Sequence, residues 1–188
     1  MYPALRQQFA EFVQLSEEEF DYVASFFRPK KFKKHSIIIQ SGELVNHEYF
    51  VIKGLLKTAT IDEKGKEHIL QFAMENWWVS DYQALMSRER SQFNIECLEN
   101  VELLYLSLSD KNKLCAEMHK MEHFFRLKAT SGLINTQKRV LVLIKNDTQS
   151  RYNLLFDQYP LLFQRVPKAL VASYLGVSRE TLSRFSAK

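Results

Sequence analysis

Cysteine, glycine and long apolar runs are scarce in this chain of 188 residues. The two cysteines, Cys97 and Cys115, lie in no CxxC or other metal-ligand spacing, which argues against a disulfide framework or a cysteine-ligated iron–sulfur site. The five glycines form no phosphate-binding loop, and the chain has no nucleophile elbow or acidic metal cluster. We therefore expect no catalytic residue, no metal and no cofactor. Because no run approaches 18 apolar residues and the first residues lack the apolar core of a signal peptide, we expect a cytoplasmic protein with no membrane partner.

The positive charge of the chain is concentrated at one end. The formal net charge is +4, and residues 164–188 carry all of it, because five basic residues stand there against Glu180 alone. Such a basic end on a neutral body is typical of a protein that places that end on nucleic-acid phosphates. The five basic residues are Arg165, Lys168, Arg179, Arg184 and Lys188.

The same end of the chain has the pattern of a helix-turn-helix. Apolar residues recur at helical spacing up to Leu175, Gly176 interrupts the run, and a second helical pattern begins at Ser178. Two packed helices need a small residue at their crossing, a glycine able to adopt positive φ in the turn, and an apolar residue on the second helix. Ala172, Gly176 and Leu182 supply these three features in that order.

The second helix has one polar face that suits the edge of a DNA major groove. Ser178 is a predicted N-cap, and Arg179, Glu180, Ser183 and Arg184 fall on one side of the helix, opposite Leu182. Arginine can donate two hydrogen bonds to guanine, and glutamate can accept one from cytosine. The alternative interpretation is a solvated face on an ordinary helical hairpin. We predict DNA recognition because the turn and the face agree.

Residues from Phe32 to about Ser107 have the pattern of short strands separated by turns, which indicates an antiparallel barrel or roll. The basic run at 28–34 precedes them, and we interpret it as a solvated strand face rather than a DNA or polymerase contact. The predicted strands are Ser36–Gln40, Tyr49–Ile52, Leu55–Ile61, His68–Ala73, Phe93–Cys97 and Val101–Leu106.

Residues 109–146 return to helical periodicity without a proline, which predicts one long helix. An apolar series of Leu114, Met118, Met121 and Phe125 has an a/d-like spacing, and Gly132 would allow a partner helix to approach closely. At 1.5 Å per residue the helix would be roughly 55 Å long, which is longer than a small domain needs.

The run from Leu175 to Arg184 resembles the recognition segment of the cyclic-AMP receptor protein and fumarate-nitrate regulator family of bacterial transcription factors. The stretch Tyr49–Gly54, with the hairpin at 64–67, resembles the β-roll of cyclic-nucleotide-binding domains. The resemblance implies that Arg179, Glu180 and Arg184 read base edges and that Ser178 or Thr181 reaches phosphate. The complete predicted set of DNA-binding residues is Lys168, Ser178, Arg179, Glu180, Thr181, Ser183, Arg184 and Lys188.

The resemblance implies an α+β fold with an N-terminal antiparallel β-roll, a long dimerisation helix and a C-terminal winged helix-turn-helix. The expected divisions are 1–108 for the roll with its N-terminal helices, 109–146 for the dimer helix and 147–188 for the DNA-binding domain. The implied partners are a second copy of the chain, double-stranded DNA with a palindromic operator, and RNA polymerase. An effector of unknown identity would act by changing the angle between the two DNA-binding domains at the joint near Asn146.

The nucleotide site of the family matches only in part. In that family a Gly-Glu-Leu-type triad and an Arg-Ser/Thr pair hold the phosphate and ribose. Arg90-Ser91 match the pair, but Ser80-Asp81-Tyr82 replace the triad, and Phe124 and Phe125 fall near the positions that would carry hydroxyls to the base. Asp81, Arg90 and Ser91 are the candidate ligand residues. We expect no control by cyclic AMP. The alternative is a sensor module in which the roll binds a cyclic nucleotide or another small ligand, and this ligand switches DNA binding.

An unrelated alternative comes from the pattern His119-Lys120-Met121-Glu122-His123. Two histidines at i and i+4 can share a metal on one helical face, and H-x-x-E-H occurs in inverted zinc peptidases. Such an enzyme needs a further protein ligand from elsewhere, and we expect ordinary exposed histidines here and no enzymatic activity.

Overall fold

The computed structural model of the protein describes residues 2–185. Within this range, eight strands lie between residues 28 and 107, and nine helices precede, interrupt and follow them. The strands are β1 (Arg28–Phe32), β2 (Ile37–Ile39), β3 (His47–Lys53), β4 (Leu56–Ile61), β5 (Glu67–Ala73), β6 (Trp78–Val79), β7 (Asn94–Cys97) and β8 (Val101–Ser107). The helices are α1 (Pro3–Ala10), α2 (Glu17–Ala24), α3 (Tyr82–Ser87), α4 (Leu108–Glu117), α5 (His119–Lys145), α6 (Thr148–Gln158), α7 (Pro160–Arg165), α8 (Lys168–Leu175) and α9 (Arg179–Phe185).

The strands form a roll of two four-stranded sheets, with strand orders β1-β8-β3-β6 and β2-β7-β4-β5. The pairs β1–β8, β2–β7, β3–β6 and β3–β8 are antiparallel. Apolar side chains from both sheets meet in one cluster, in which Val51, Leu56, Ile95 and Leu103 are at most 1% exposed. The predicted antiparallel roll is therefore confirmed.

Strand β6 was not predicted, and β1 was expected only as a solvated strand face at 28–34, because neither has an apolar alternation. Four of the five residues of β1 are exposed, and the strand is held by antiparallel pairing with β8 from Arg28 opposite Tyr105 to Phe32 opposite Val101. The basic run at 28–34 thus supplies the exposed face of an edge strand, as the sequence interpretation expected. Strand β6 has only two residues, which is too short for a periodic pattern.

Helices α1 and α2 and the first part of α5 pack on the other face of β3 and β8. Phe9, Phe20, Phe50, Leu104 and Phe124 are each at most 1% exposed in this second cluster. The rings of Phe9 and Phe124 meet edge to face with centroids 4.7 Å apart. Large aromatic side chains contribute strongly to such a core because each buries a large apolar area.

The prediction of one helix over 109–146 is wrong, because the chain leaves helical geometry at Met118. This residue has extended backbone angles, with φ −131° and ψ 101°. Its carbonyl accepts hydrogen bonds from the amides of Met121 at 2.9 Å and Glu122 at 3.3 Å, so Met118 ends α4 and begins α5. The absence of proline did not exclude this break, since any residue can adopt extended angles. Helix α5 has 27 residues, or about 40 Å at 1.5 Å per residue.

The apolar series predicted for the dimer seam lies in the core of the chain instead. Leu114 and Met121 are fully buried, Phe125 is 8% exposed, and Met118 packs against the same cluster. Helical spacing identifies an apolar face but does not distinguish burial within the chain from burial against a partner. The exposed apolar residues of α5 lie further along the helix and are Leu133, Ile134, Val140, Leu141, Leu143 and Ile144, which are 42–74% exposed.

The chain divides into two compact units. One comprises the residues up to Thr58 together with 72–129, and the other comprises 59–71 together with the residues from Thr130 onward. The second unit therefore contains the last residues of β4 and the first residues of β5, which are the outer ends of these two strands. It also contains the later part of α5 and the helices that follow. The expected divisions at 108 and 146 stay a prediction. Over residues 2–185, none of the helices combines the length and hydrophobicity that crossing a bilayer requires.

Candidate nucleic-acid interface and predicted ligand pocket

Helices α8 and α9 form a helix-turn-helix around a left-handed glycine. Gly176 has φ 73° and ψ 31°, a conformation that costs a residue with a Cβ about 1–2 kcal/mol. The amide of Val177 donates to the carbonyl of Ala172 at 3.0 Å and closes the turn. The helical residues 148–185 include no strands of a wing, so the winged form stays an expectation for this chain.

The two helices pack through small and branched side chains. Val171, Ala172, Leu175 and Leu182 are between 1% and 4% exposed. Ala172 and Leu182 thus take the roles that the sequence predicted, a small residue on the first helix and an apolar residue on the second. Their burial fixes which side of α9 faces away from α8.

The opposite side of α9 is the predicted DNA-reading face. Arg179, Glu180, Ser183 and Arg184 are exposed, whereas Thr181 is partly buried beside Leu182. Lys168 is exposed at the first position of α8. Lys188, which was also predicted to contact DNA, lies outside the described residues.

The first turn of α9 is capped by Ser178. The Ser178 hydroxyl accepts a hydrogen bond of 3.2 Å from the Thr181 amide and lies 3.1 Å from the Thr181 hydroxyl. The backbone amide of Glu180, together with the Ser178 hydroxyl, lowers the pKa of the Glu180 carboxyl, and Arg179 and Arg184 act in the same direction. Glu180 is therefore an ionised acceptor at neutral pH, as a contact with a cytosine amine requires.

Two arginines that no sequence pattern marked contact the end of α8. Arg151 on α6 donates a hydrogen bond of 3.1 Å from Nη1 to the carbonyl of Leu175 and one of 3.3 Å from Nη2 to the hydroxyl of Thr148. Arg139 on α5 reaches the carbonyl of Tyr174. These partners are 24 and 35 residues away in the chain, so no local spacing could have revealed them.

In the roll, two of the candidate ligand residues bind each other. The Ser91 hydroxyl donates to Asp81 Oδ2 at 2.8 Å, and Asp81 Oδ1 accepts from the amide of Ala84 at 3.0 Å. The amide of Gln92 adds a contact of 3.3 Å to Oδ2. Asp81 and Ser91 are each 3% exposed. The carboxylate therefore caps α3 and accepts a hydrogen bond from Ser91, whose hydroxyl was expected to bind a ligand.

The third candidate, Arg90, is an exposed residue on the neighbouring turn. Its Nη1 donates a hydrogen bond of 2.7 Å to the carbonyl of Gly42. The amide of Gly42 donates in turn to the carbonyl of Ser91 at 2.8 Å. This guanidinium fastens the turn at 41–43 to the loop before β7.

The two tryptophans lie in different cores, one in the interior of the roll and the other in the core formed with the helices. Trp77 packs against the interior cluster, whereas Trp78 lies on the other side against Phe50, with a centroid distance of 5.3 Å, and Phe125, at 5.9 Å. Phe124 and Phe125, which were expected near the positions that carry hydroxyls in the family, are buried in the outer core. Tyr82 is 46% exposed as a whole residue, although burial around its hydroxyl raises its pKa.

Two residues of the histidine pattern at the start of α5, Glu122 and His123, contact the cationic side chain of Arg126. Arg126 Nη2 lies 2.9 Å from His123 Nδ1, and Arg126 Nε lies 3.9 Å from Glu122 Oε1. A guanidinium at this position opposes binding of a metal cation by the two residues. Among the residues that the structure describes, no group of three or more His, Cys, Asp or Glu side chains is placed to hold a metal.

The two cysteines are separate thiols. Cys97 is buried in the roll interior, and burial, with a smaller contribution from Glu96, raises the pKa of its thiol to about 11. Cys115 on α4 is partly buried, and burial raises its pKa as well. Both are protonated at neutral pH, which makes them poor nucleophiles and poor metal ligands.

Known proteins are similar to this chain in sequence and in fold. A model of the cyclic nucleotide-binding domain matches residues 29–118. An anaerobic regulatory protein of Pasteurella multocida is 25% identical over 182 residues, which cover 90% of this chain and 66% of that protein. A fumarate and nitrate reduction regulatory protein of Vibrio cholerae is also 25% identical over 182 residues, covering 90% of this chain and 72% of that protein. These similarities support the resemblance to the cyclic-AMP receptor protein and fumarate-nitrate regulator family.

A solved structure has the same fold. The structure of FixK2 from Bradyrhizobium japonicum superposes with a TM-score of 0.74 at 16% identity, covering 86% of this chain and 83% of that one. The match extends over both the roll and the helices that follow it. The resemblance stated from the recognition segment and the roll is therefore confirmed.

Proposed function

We propose that this chain is a dimeric transcription regulator that binds a specific palindromic site in double-stranded DNA and is not controlled by cyclic AMP. The observation that supports this proposal is that charged and apolar side chains lie on opposite faces of α9. Arg179, Glu180 and Arg184 are exposed on one face, while Leu182 on the opposite face is 2% exposed. A helix held in this way presents its charged face outward from a packed support.

The side chains on that face have complementary recognition chemistry. Arg179 and Arg184 can each donate two hydrogen bonds to guanine O6 and N7, and Glu180 can accept from cytosine N4. Ser183 lies on the same face and can bond to either base or phosphate. Lys168, Ser178 and Thr181 are proposed phosphate contacts, and Lys188 completes the proposed set.

The proposed dimer forms through the exposed apolar face of α5. Ile134, Leu141 and Ile144 are exposed and recur, together with Gln137, at alternating spacings of three and four residues. This spacing is that of the a and d positions of a coiled coil, in which a polar residue such as Gln137 helps to specify register. The two recognition helices would then enter successive major grooves about 34 Å apart.

The proposed independence from cyclic nucleotides depends on the interior of the roll. A nucleotide phosphate would need the Ser91 hydroxyl and the Arg90 guanidinium, which already bond to Asp81 and to the carbonyl of Gly42. The carboxylate of Asp81 would also repel the phosphate. Binding would therefore have to break two interactions and place two negative charges side by side.

In vitro selection from random duplexes, followed by genome-wide mapping of bound sites, tests this function. We expect a palindromic motif with two half-sites about 10 base pairs apart, recovered by the natural chain and lost in an Arg179→Ala/Arg184→Ala variant. Titration calorimetry with cyclic AMP and cyclic GMP should give no binding heat at millimolar nucleotide. Recovery of no motif would refute DNA recognition, and micromolar nucleotide binding would refute the second part of the proposal.

A further inference from the structure

The C-terminal end of α8 is held from both sides of the joint between α5 and α6. A helix leaves its last four carbonyls without partners inside the helix. At the end of α8, the carbonyls of Ala172 and Ser173 accept from the Gly176 amide, and that of Leu175 accepts from Arg151 on α6. The carbonyl of Tyr174 accepts from Arg139 Nη2 at 3.4 Å. Arg139 precedes the joint at 146–147 and Arg151 follows it.

Arg139 makes further contacts in the same place. Its Nη2 also donates to the carbonyl of Ile69 on β5 at 3.3 Å, and its guanidinium carbon lies 4.0 Å from the centre of the Tyr174 ring. A guanidinium stacked on a ring and bonded to two carbonyls is held in one orientation, and a cation is favourable at a helix C-terminus. One side chain therefore connects α5, the outer end of β5 and the first helix of the helix-turn-helix.

A second bond links the same hairpin to α8. The Ser173 hydroxyl donates to the carbonyl of Glu67 at 2.9 Å. Ser173 and Tyr174 are neighbours on α8, and Glu67 and Ile69 lie on the same strand. The helix-turn-helix is thus fastened at two points to the outer end of β5, and one of these points also includes α5.

The position of Arg139 on α5 connects this contact to the proposed dimer. At about 100° per residue, Arg139 lies about 180° from the mean direction of Ile134, Gln137, Leu141 and Ile144. One short stretch of helix therefore has the proposed partner-facing side chains on one face and the contact to the helix-turn-helix on the other.

We propose that Arg139 is a positioning residue for DNA recognition, which fixes the helix-turn-helix to α5 and so sets the separation of the two recognition helices in the dimer. This inference rests on the proposed function. Arg139 itself contacts no DNA; it restrains the joint at 146–147. Without it, each helix-turn-helix should still read its half-site, but the separation of the two should be less well defined.

The test uses the full chain, the selected operator, and duplexes in which the spacing between half-sites changes by one base pair at a time. Fluorescence anisotropy gives the affinity at each spacing. We expect the natural chain to have a sharp optimum. Arg139→Gln should bind about tenfold more weakly at that optimum and should lose affinity less steeply at other spacings. Its preference for the matched half-site over a single mismatch at the base read by Arg179 should stay unchanged.

Lys138→Gln is the matched control, because it removes one positive charge from the adjacent exposed position of α5. It should keep the sharp optimum. Arg139→Lys, which keeps the charge but lacks the flat guanidinium, should fall between the natural chain and Arg139→Gln. Ser173→Ala combined with Arg139→Lys should flatten the spacing profile further, which tests the hairpin contact in a variant with a milder change.

The outcomes separate this inference from the proposed function. An Arg139→Gln protein with an unchanged spacing profile would overturn the positioning role while leaving DNA recognition intact. An equal loss of base preference and spacing preference would also overturn it, since that result indicates a disrupted helix-turn-helix. If the natural chain itself shows no preference between operator and random DNA, the proposed function fails and this inference fails with it.

Discussion

The Ser91 hydroxyl donates a hydrogen bond of 2.8 Å to the Asp81 carboxylate, and both side chains are almost completely buried. The carboxylate also accepts from the backbone amides of Ala84 and Gln92. A hydroxyl and two amides arranged around a buried oxyanion form a complete anion site, and in this roll the anion is part of the chain.

Replacing Asp81 should destabilise the roll. Asp81→Ala removes the N-cap of α3 and the carboxylate acceptor of the Ser91 hydroxyl, which keeps only the Phe93 carbonyl at 3.0 Å, and should lower the free energy of unfolding by about 1–3 kcal/mol. Urea denaturation measures the change. Asp21→Ala, at an exposed position of α2, should change stability by less than about 0.5 kcal/mol. A double-mutant cycle with Ser91→Ala should show coupling between the two residues, and additive effects would contradict the pairing described here.

Base-reading and phosphate-contacting residues of the proposed interface should differ in their response to substitution. Arg179→Ala should cost about 1–3 kcal/mol of binding to the selected operator and relax preference at one base pair. Lys168→Ala should weaken binding evenly across sequences and reduce the salt slope by about 1. Arg88→Ala, on the roll, serves as the charge-matched control. Equal losses on operator and random DNA for Arg179→Ala would argue against base reading.

A charge placed on the apolar face of α5 should dissociate the proposed dimer. Ile144 is 74% exposed in the single chain, and Ile144→Glu would bury an unpaired carboxylate in the interface of a dimer. We expect the dissociation constant from sedimentation equilibrium to rise at least about tenfold. Met86→Glu makes the same change at a residue of the roll that is 66% exposed, and should leave self-association unaltered. Equal behaviour of the two variants would place the dimer contact elsewhere.

Two glycine-to-alanine substitutions should change the free energy of unfolding in opposite directions. Gly176→Ala forces a residue with a Cβ into the left-handed turn, and should destabilise the protein by about 1–2 kcal/mol although the new Cβ would meet only Arg151 Nη1, at an ordinary contact distance of 3.9 Å. Gly132→Ala lies inside α5 with no atom within 4 Å, and should stabilise it by about 0.5–1 kcal/mol through helix propensity. Thermal unfolding of both variants checks the pair. A stabilised Gly176→Ala protein would show that the turn is not left-handed.

Glu48 should make stability depend on pH. It is 3% exposed, its Oε1 lies 2.9 Å from Nζ of Lys111, and burial raises its pKa above the ordinary carboxyl value of 4.5. Between that value and the raised one the folded chain binds more protons than the unfolded chain, so this residue lowers stability as pH rises through that window. Glu48→Gln should remove this dependence, and Glu43→Gln, at an exposed turn, should retain it. Urea midpoints measured from pH 4 upward test the sign, and a parallel response of the natural chain and Glu48→Gln would contradict it.

Features encoded by neighbouring residues could be predicted from the sequence. The capping box at the start of α2 is present, with the Glu19 amide bonded to the Ser16 hydroxyl at 3.2 Å and the Ser16 amide bonded to the Glu19 carboxylate at 2.8 Å. The turn at Gly176 and the cap at Ser178 also match their predicted roles. Caps and turns depend only on residues three or four positions apart, so the local sequence contains all the residues that form them.

Features that depend on distant partners could not be predicted. Arg139 and Arg151 became part of the site because carbonyls from another helix happen to lie beside them. Asp81 and Ser91 were recognised as candidates, but a sequence does not say whether two polar residues face a ligand or each other. Leu114, Met121 and Phe125 have the same apolar pattern as a dimer seam, and only their burial in the core distinguishes the two.

The opposite placement of Arg139 and the apolar face on α5 has a mechanical consequence. If the two copies pair through that face, a rotation of α5 about its own axis changes the pairing and carries the attached helix-turn-helix through the same angle. The two movements are coupled, because the Arg139 contact restrains the joint at 146–147. The half-site spacing that the protein prefers would then measure how far α5 is rotated in the dimer. Variants of α5 that shift the preferred spacing would report this rotation directly.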